Sequence, residues 1–387
     1  MKILYIWHAA VEKSYRNLFH AMAKDNEVAL CTARRWFESS RDQRFVYNVE
    51  TDKNLKIYKF FTVFLNHIRS FFYPNIFKMI YILLSFKPDV VYLKEEPYSV
   101  NAFQWIFISK FFYSSARIVV ESDENLNIKH PFIFRLMEKF VLKRIDGIAC
   151  VPQKGIDLYR AKGYTGKIFK TFYFYNEERF KPLSRKEAFS KLNMSLNENI
   201  YFGYAGRLTE EKGIEDLLSA FLMLFKENKN ICLLIAGKGD KKFENNMRDF
   251  IVMNKIEGRI KIFGALSSVD IVYFYNCLDV LIVPSHSTEW WVEQFGRVII
   301  EAMACGVPVI GSSSGEIPIV IGRKDFIFEE KDFKGLYEIM KKFVTGTFSR
   351  EKFSKELIDR AKLFSLAEAN RNKLYIMQQV LKLYRKY

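Results

Sequence analysis

What this chain of 387 residues lacks narrows its chemistry before any motif is found. Its five cysteines, Cys31, Cys150, Cys232, Cys277 and Cys305, are an odd number and include no Cys-x-x-Cys pair. Most lie inside apolar stretches, so they read as small buried hydrophobes in a reducing compartment. That speaks against a disulfide framework and a zinc site. Long hydrophobic runs are missing too. The most apolar window, Phe71 to Phe86, is interrupted by Pro74 and Lys78 and falls short of the ~20 residues that a membrane span requires. The opening run Lys2–Trp7 is too short for a signal-peptide core and reads as a first strand. There is no repeat of fixed period, no low-complexity tract, and no Asp-x-Asp pair anywhere.

What is present is charge and aromatic bulk. The formal net charge is +16, with Lys and Arg spread along the chain rather than massed in a tail. Such a balance favours polyanionic partners: phosphorylated ligands, an anionic membrane surface, or nucleic acid. No nucleic-acid-binding signature accompanies it, so no nucleic-acid partner is expected. Basic residues beside an anionic leaflet gain about 1 kcal/mol each, which makes that surface the better candidate. The 37 Phe and 21 Tyr fit the codon usage of a low-GC genome and carry little functional weight alone.

The length suits two domains of roughly 150–200 residues. Short apolar runs alternate with longer helical segments, the pattern of a parallel α/β sheet. In the first half the predicted strands are Lys2–Trp7, Val28–Thr32, Asp89–Leu93, Arg117–Glu121 and Gly147–Val151. The helix from Ile133 to Arg144 is read with Leu136, Phe140 and Val141 on its buried face. A second series follows, at Ile200–Ala205, Ile231–Ala236, Ile260–Phe263, Val280–Pro284 and Val307–Ile310. Between the series, the polar segment Asn176–Ser184, which carries Pro182, reads as a linker. The expected domains are therefore residues 1–180 and 181–365, with a closing helix over 366–387 packing back on the first. Two doubly wound α/β domains present their strand carboxyl ends to ligands, and a nucleotide-sized site is expected in a cleft between them.

Three strings carry chemistry. Gly203-Tyr204-Ala205-Gly206-Arg207-Leu208 closes a strand, and Glu211-Lys212-Gly213 precedes a helix. Arg207 and Lys212 there converge as two cations suited to the negative charge that develops on a departing diphosphate. Ala236-Gly237-Lys238-Gly239 follows the next strand and reads, more weakly, as a loop beside a base or phosphate. The most specific string runs from Trp291 through Glu293, Phe295, Gly296, Arg297, Val298 and Glu301 to Gly306-Val307-Pro308-Val309-Ile310. Gly296 opens a helix whose first amide N–H groups lack partners and attract anions. Glu293 sits in the loop before it. Glu301, about two turns further on, can accept hydrogen bonds from ribose hydroxyls.

That third string resembles the donor-site motif of glycosyltransferase family 4, the retaining enzymes of GT-B fold. Gly206-Arg207-Leu208 with Glu211-Lys212-Gly213, and Gly237-Lys238-Gly239, look like the family's other donor signatures in the same order. Gly315-Glu316-Ile317-Pro318 resembles the segment that follows. The resemblance is specific over about residues 200–330. It implies two Rossmann-like doubly wound domains, a UDP- or GDP-sugar donor, metal-independent transfer and retention of configuration. Under it, Arg207 and Lys212 hold the diphosphate, Glu301 the ribose and Glu293 the sugar hydroxyls. Gly206, Gly237, Lys238, Phe295, Gly296, Arg297 and Val298 line the nucleotide. The lack of Asp-x-Asp agrees with a site without metal.

The first half departs from the family. Many members carry a glycine-rich loop after the first strand, where this chain has Trp7-His8-Ala9-Ala10-Val11-Glu12-Lys13-Ser14. Many also place a His at the end of the strand matching Arg117–Glu121; here Asp123 falls near that place. Either a carboxylate contacts the sugar, or the correspondence slips by a residue or two. His8 and His130 are the histidines close to these loops, and Glu95-Glu96-Pro97 ends the neighbouring strand. The acceptor expected is a glycan or lipid-linked sugar in polysaccharide, lipopolysaccharide or glycolipid assembly, at the cytoplasmic face. The segments Lys59–Phe72, Phe77–Phe86 and Phe103–Phe112 mix aromatic and basic residues. Helices packed on a sheet are the simpler account of them, and a lipid-touching surface is the other. A sugar-nucleotide epimerase and a homologue that binds without catalysis also stay open.

Overall fold

The computed structural model describes residues 1–37, 46–48, 52, 55–65 and 67–382. Two compact units divide the chain, one of residues 1–172 with 366–387 and one of residues 173–365. The division after Phe172 puts the segment Asn176–Ser184 inside the second unit, so the 180/181 boundary falls within that unit.

In the first unit the strands are β1 Lys2–Ile6, β2 Glu27–Ala33, β3 Arg35–Phe37, β4 Val46–Asn48, β5 Lys56–Phe60, β6 Val90–Lys94, β7 Arg117–Ser122, β8 Gly147–Cys150 and β9 Lys167–Lys170. Its helices are α1 Asn17–Ala23, α2 Ile76–Phe86, α3 Val100–Phe112, α4 Phe132–Leu142 and α5 Gln153–Ala161. The second unit holds β10 Ile200–Ala205, β11 Ile231–Ala236, β12 Ile260–Gly264, β13 Val280–Val283, β14 Val309–Ser312 and β15 Ile327–Phe328. With them are α6 Arg185–Lys191, α7 Ile214–Glu227, α8 Lys241–Met253, α9 Asp270–Cys277, α10 Arg297–Ala304, α11 Ile317–Ile321, α12 Phe333–Val344 and α13 Arg350–Lys362. A last helix, α14 Leu366–Lys382, returns to the first unit and packs on α1.

Among the described residues the first sheet is parallel in the order β5-β2-β1-β6-β7-β8-β9, and the second in the order β12-β11-β10-β13-β14-β15. Both are doubly wound, because helical crossovers in parallel sheets are right-handed and the strand order reverses at the first strand. The switch points therefore lie between β1 and β6 in one unit and between β10 and β13 in the other. The central strands are buried throughout, which matches their continuous Val, Ile and Leu runs. Cys31 and Cys150 in strands, Cys277 at the end of α9 and Cys305 just after α10 are buried, and all five cysteines are free thiols.

Three local readings need correction. The strand expected at Val307–Ile310 begins two residues later, at Val309. The Val307 N–H still bonds the Ala302 carbonyl to close α10, and Pro308 has no N–H to give the sheet. Within Lys59–Phe72 the described residues form the end of β5 and a loop rather than a helix, bridged where Val63 meets Phe72. On α4, Val141 is buried as expected, but Leu136 is 45% exposed.

Candidate functional site

The second switch point gathers most of the residues singled out by sequence. β10 ends at Gly206, whose N–H bonds the Ala236 carbonyl at 3.0 Å, so the strand ends of β10 and β11 stay joined. Leu208 then pairs with the next loop through its N–H to the Lys238 carbonyl at 2.9 Å. Gly206-Arg207-Leu208 and Gly237-Lys238-Gly239 thus run side by side. The Tyr204 hydroxyl donates to the Arg207 carbonyl, and burial followed by the Glu293 charge pushes its pKa far up. Arg207 itself, 42% exposed in its side chain, meets Glu211 at 3.4 Å, and Lys238 is exposed.

Lys212 turns instead toward the third motif. Its Nζ lies 2.7 Å from Glu293 Oε2 and 4.2 Å from the centre of the Trp291 ring. Gly213 makes this turn possible. Its φ is +65°, and a Cβ there would sit 1.8 Å from the Pro284 carbonyl oxygen. Ser285, at the end of β13, donates to the same Glu293 oxygen at 3.3 Å. The pair is thereby tied to both strands of the switch point, β10 through the Lys212 loop and β13 through Ser285.

The loop bearing Glu293 is anchored by its backbone, since the Glu293 carbonyl accepts the Glu316 N–H at 3.1 Å. It ends at Gly296, whose φ of +78° suits glycine and sets the entry into α10. No side chain caps that helix and its first turn carries no acid, which leaves the helix terminus receptive to an anion. Phe295 faces inward. Its ring is 2% exposed and packs edge-on against Tyr173 and Phe364, so only its backbone is available to a ligand. Val298 and Arg297 are partly exposed.

Glu301 is buried on α10. The Tyr275 hydroxyl donates to its Oε2 at 2.9 Å, and Arg297 reaches its Oε1 at 3.5 Å. Burial and then the Glu301 charge raise the Tyr275 pKa well above its ordinary value. Sequence reading gave Trp291 no role beyond opening its string, and missed Tyr275, Ser285 and His286, whose ring bonds Asp216 at 2.6 Å. Pro284-Ser285-His286 directly follows a strand and could have drawn attention; nothing in sequence marks Tyr275 on α9.

Asp123, His8 and His130 belong to the first unit. His8 follows β1, and its Nδ1 and backbone N–H both bond the buried Glu95 carboxylate, at 2.8–2.9 Å. Asp123 follows β7, lies 3.8 Å from Lys94, and donates its N–H to Glu96 at 2.9 Å. Burial, with the Asp123 and Glu124 charges, pushes the Glu96 carboxyl up to about 8. Beneath them Glu121 meets Lys94, Lys373 of α14 and the Tyr92 hydroxyl. Burial works to raise Glu121, but the two ammonium groups outweigh it and hold its pKa at about 2. His130 is buried under the Tyr98 ring, 3.9 Å between centres, and burial with the Arg69 charge lowers its pKa. Among the described residues no cluster of His, Cys, Asp and Glu suits a metal ion.

Residues 184–362 match the family described as Glycosyl transferases group 1, and they contain every element of the second switch point. The second unit is a group 1 glycosyltransferase domain. The chain is similar to the capsular polysaccharide biosynthesis glycosyltransferase CapM of Staphylococcus aureus, 31% identical over 176 residues. That stretch is 45% of this chain and 44% of CapM, so the chain spans less than half the length of this relative. Among solved structures it is similar to a glycosyltransferase from Rickettsia africae, with a TM-score of 0.76, 20% identity and 98% of each chain covered. HepE of Anabaena, solved with UDP, gives a TM-score of 0.75 at 15% identity, covering 98% of this chain and all of that one. At these identities the structures show the fold, which is GT-B. Among the described residues no helix is long and apolar enough to cross a membrane.

Proposed function

We propose that this chain transfers a sugar, with retention of configuration, from a UDP- or GDP-sugar to a glycan or lipid-linked acceptor. The acceptor would belong to cell-surface polysaccharide, lipopolysaccharide or glycolipid assembly on the cytoplasmic side. The second unit takes the donor and the first unit the acceptor. The observation that carries the reading is the Lys212–Glu293 pair at the β10/β13 switch point, together with the uncapped start of α10.

As the bond from the anomeric carbon to the diphosphate oxygen breaks, negative charge grows on the diphosphate. Lys212, Arg207 and the α10 amides are the groups that would take it up. In the same step Glu293, relieved of Lys212, accepts from the sugar hydroxyls, while Glu301 accepts from the ribose. Gly206, Gly237 and Lys238, with the backbone of Phe295, Gly296, Arg297 and Val298, would surround the nucleotide. The acceptor oxygen gains the anomeric carbon, and its proton leaves with the diphosphate. Asp123 would meet the sugar from the first unit, and no step draws on a metal. The UDP bound in HepE and the capsular role in CapM's name are what favour this donor and acceptor class.

The test is a thermal-shift panel with UDP, GDP, ADP and their common sugars. A ligand at 100 times its dissociation constant stabilises the native state by about 2.7 kcal/mol. The expected result is a shift with one diphosphate family that Lys212→Ala and Glu301→Ala abolish. A folded sample that shifts with none of them overturns the reading.

A further inference from the structure

The outward side of the first unit's helical layer is built against the usual rule. Helices α2, α3 and α4 follow one another across one face of the sheet, α3 packing on both neighbours. Their inner residues, such as Met79, Trp105 and Val141, fill the core. The outer face of such a layer is ordinarily polar. Here it carries Phe77 at 86% exposure, Tyr81 at 65%, Phe111 at 76% and Phe132 at 67%. The apolar surface is continuous from α3 to α4. Phe107 stacks 5.6 Å from Phe111 and lies 6.1 Å from Phe140.

Charge on this face has one sign. No Asp or Glu occurs between residues 53 and 88, nor between 97 and 120. The one acid of α4, Glu138, is buried and bonded to Lys162 at 2.7 Å. The exposed charges of α4 and its end are Arg135, Lys139, Lys143 and Arg144, and the Arg144 guanidinium lies 3.7 Å from the centre of the Phe140 ring. A surface with aromatic side chains pointing outward and basic residues at their edge matches an interfacial lipid contact: rings enter the headgroup boundary while the cations meet lipid phosphates. A second copy fits badly. In a two-fold interface the same basic residues would face themselves with no exposed acid of these helices to answer them.

We infer that the α2–α3–α4 face of the first unit docks on an anionic lipid bilayer. The inference is independent of the donor assignment, since no residue of the second unit takes part. Docking places the acceptor-side unit at a membrane surface, where a lipid-linked acceptor would be presented.

The test is co-sedimentation of the full chain with vesicles of phosphatidylcholine alone and of phosphatidylcholine with phosphatidylglycerol. Binding is expected to the anionic vesicles and to weaken as salt is raised. Phe77→Ser with Phe111→Ser should abolish it. Lys139→Glu and Arg144→Glu should each weaken it by at least about fivefold, the factor equivalent to one lost basic contact. Val252→Ser with Met253→Ser, which removes exposed apolar side chains from α8 of the second unit, should leave it unchanged. All these side chains are exposed, although Phe111 also stacks on Phe107 and Arg144 lies over Phe140, and a thermal melt confirms that each variant is folded. Failure of the folded wild type to sediment with anionic vesicles overturns the inference, as does a Phe77/Phe111 variant that sediments like wild type. Dimerisation of the wild type in analytical ultracentrifugation, lost in the Phe77/Phe111 variant, would assign the face to a second copy and also overturn it. A nucleotide thermal shift that persists in these variants keeps the outcome separate from that of the donor site.

Discussion

At the switch point of the second sheet the strand ends give way to glycine backbone with the pairs Arg207–Glu211 and Lys212–Glu293 around it, whereas at that of the first sheet buried charged side chains have closed in. Gly206 and Gly237 end β10 and β11, and the nearby Lys212 is held by Glu293 and Trp291 alone among the contacts described. At the first unit's switch point, between β1 and β6, stand His8, which follows β1, and Lys94, Glu95 and Glu96 at the end of β6. His8 is locked to Glu95, and Lys94 belongs to the Glu121–Lys373 cluster. On the proposed function, two sheets of one topology carry different tasks. A diphosphate would then exchange with Glu293 for Lys212, a part-buried pair whose side chains keep 11% and 17% exposure. The first unit's strand ends are filled by side chains that bond one another, with the Glu96, Asp123 and Glu124 carboxylates crowded together beside them.

The largest effect expected from breaking this contrast is in the first unit. Glu121→Gln leaves Lys94 and Lys373 buried without their carboxylate and should destabilise the fold by about 3–5 kcal/mol, read from urea unfolding at pH 7. The pH dependence fixes the cause. With its folded pKa near 2, below the ordinary carboxylate value, Glu121 contributes stability that is fully present above about pH 4.3 and fades as pH falls toward 2. The gap between wild type and variant should therefore narrow in that window. A gap constant with pH would show that the carboxylate charge is not what matters.

In the second unit the equivalent cut is catalytic. Lys212→Ala should lower kcat on a nucleotide sugar by roughly 10²–10³-fold, the range seen when one group that stabilises developing charge is removed. Its effect on stability should be smaller than that of Glu121→Gln, since the pair it breaks is only part-buried and Ser285 stays on Glu293. Loss of fold instead of turnover would mean that Lys212 serves the scaffold, and the contrast between the two strand ends would collapse.

How far all this could be read in sequence follows from the same physics. Ile200–Ala205 and Ile231–Ala236 were legible to the residue, because a strand buried on both faces is a continuous apolar run. The parallel strands that escaped are β5, β9 and β15, all at sheet edges. Lys56–Phe60 and Lys167–Lys170 begin with an exposed Lys and carry another, so their pattern is that of half-buried segments. At the site, the loops were legible from their glycines and the spacing of Glu293 and Glu301. Their pairing was not: Lys212 and Glu293 lie 81 residues apart, and Tyr275 reaches Glu301 from another helix. Arg207 and Lys212 were expected to aim at one point. The structure pairs one with Glu211, four residues on, and the other with Glu293 in a distant loop, a long-range pairing that no local pattern announces.

A smaller effect sharpens the picture of crowded carboxylates in the first unit. Glu96 accepts from Ser122 and from the Asp123 N–H, beside two further carboxylates, and its pKa rises to about 8. A carboxyl raised in the folded state binds its proton more tightly there than in the unfolded chain. Its contribution is thus fully present below about pH 4.3 and is lost as pH rises through 8. Glu96→Gln keeps the hydrogen-bonding shape without the charge. It should melt like wild type at pH 4 and become progressively more stable than wild type as pH rises toward 8.5. Equal melting at both pH values would mean that Glu96 is ionised throughout.

The smallest expected change tests whether the donor side is as lightly held as the comparison requires. Tyr275→Phe removes a single hydrogen bond to Glu301 Oε2 and leaves Arg297 on the other oxygen. The cost to stability should be about 1.5–3 kcal/mol, the range for a bond to a charged acceptor. If Tyr275 merely buries Glu301, nucleotide affinity should follow stability and little else. If it orients the carboxylate toward the ribose, the thermal shift with a nucleoside diphosphate should shrink while the shift with inorganic pyrophosphate, which has no ribose, stays as in wild type. That separation tells a positioning role from a packing one, because a general loosening of α9 against α10 would weaken both ligands together.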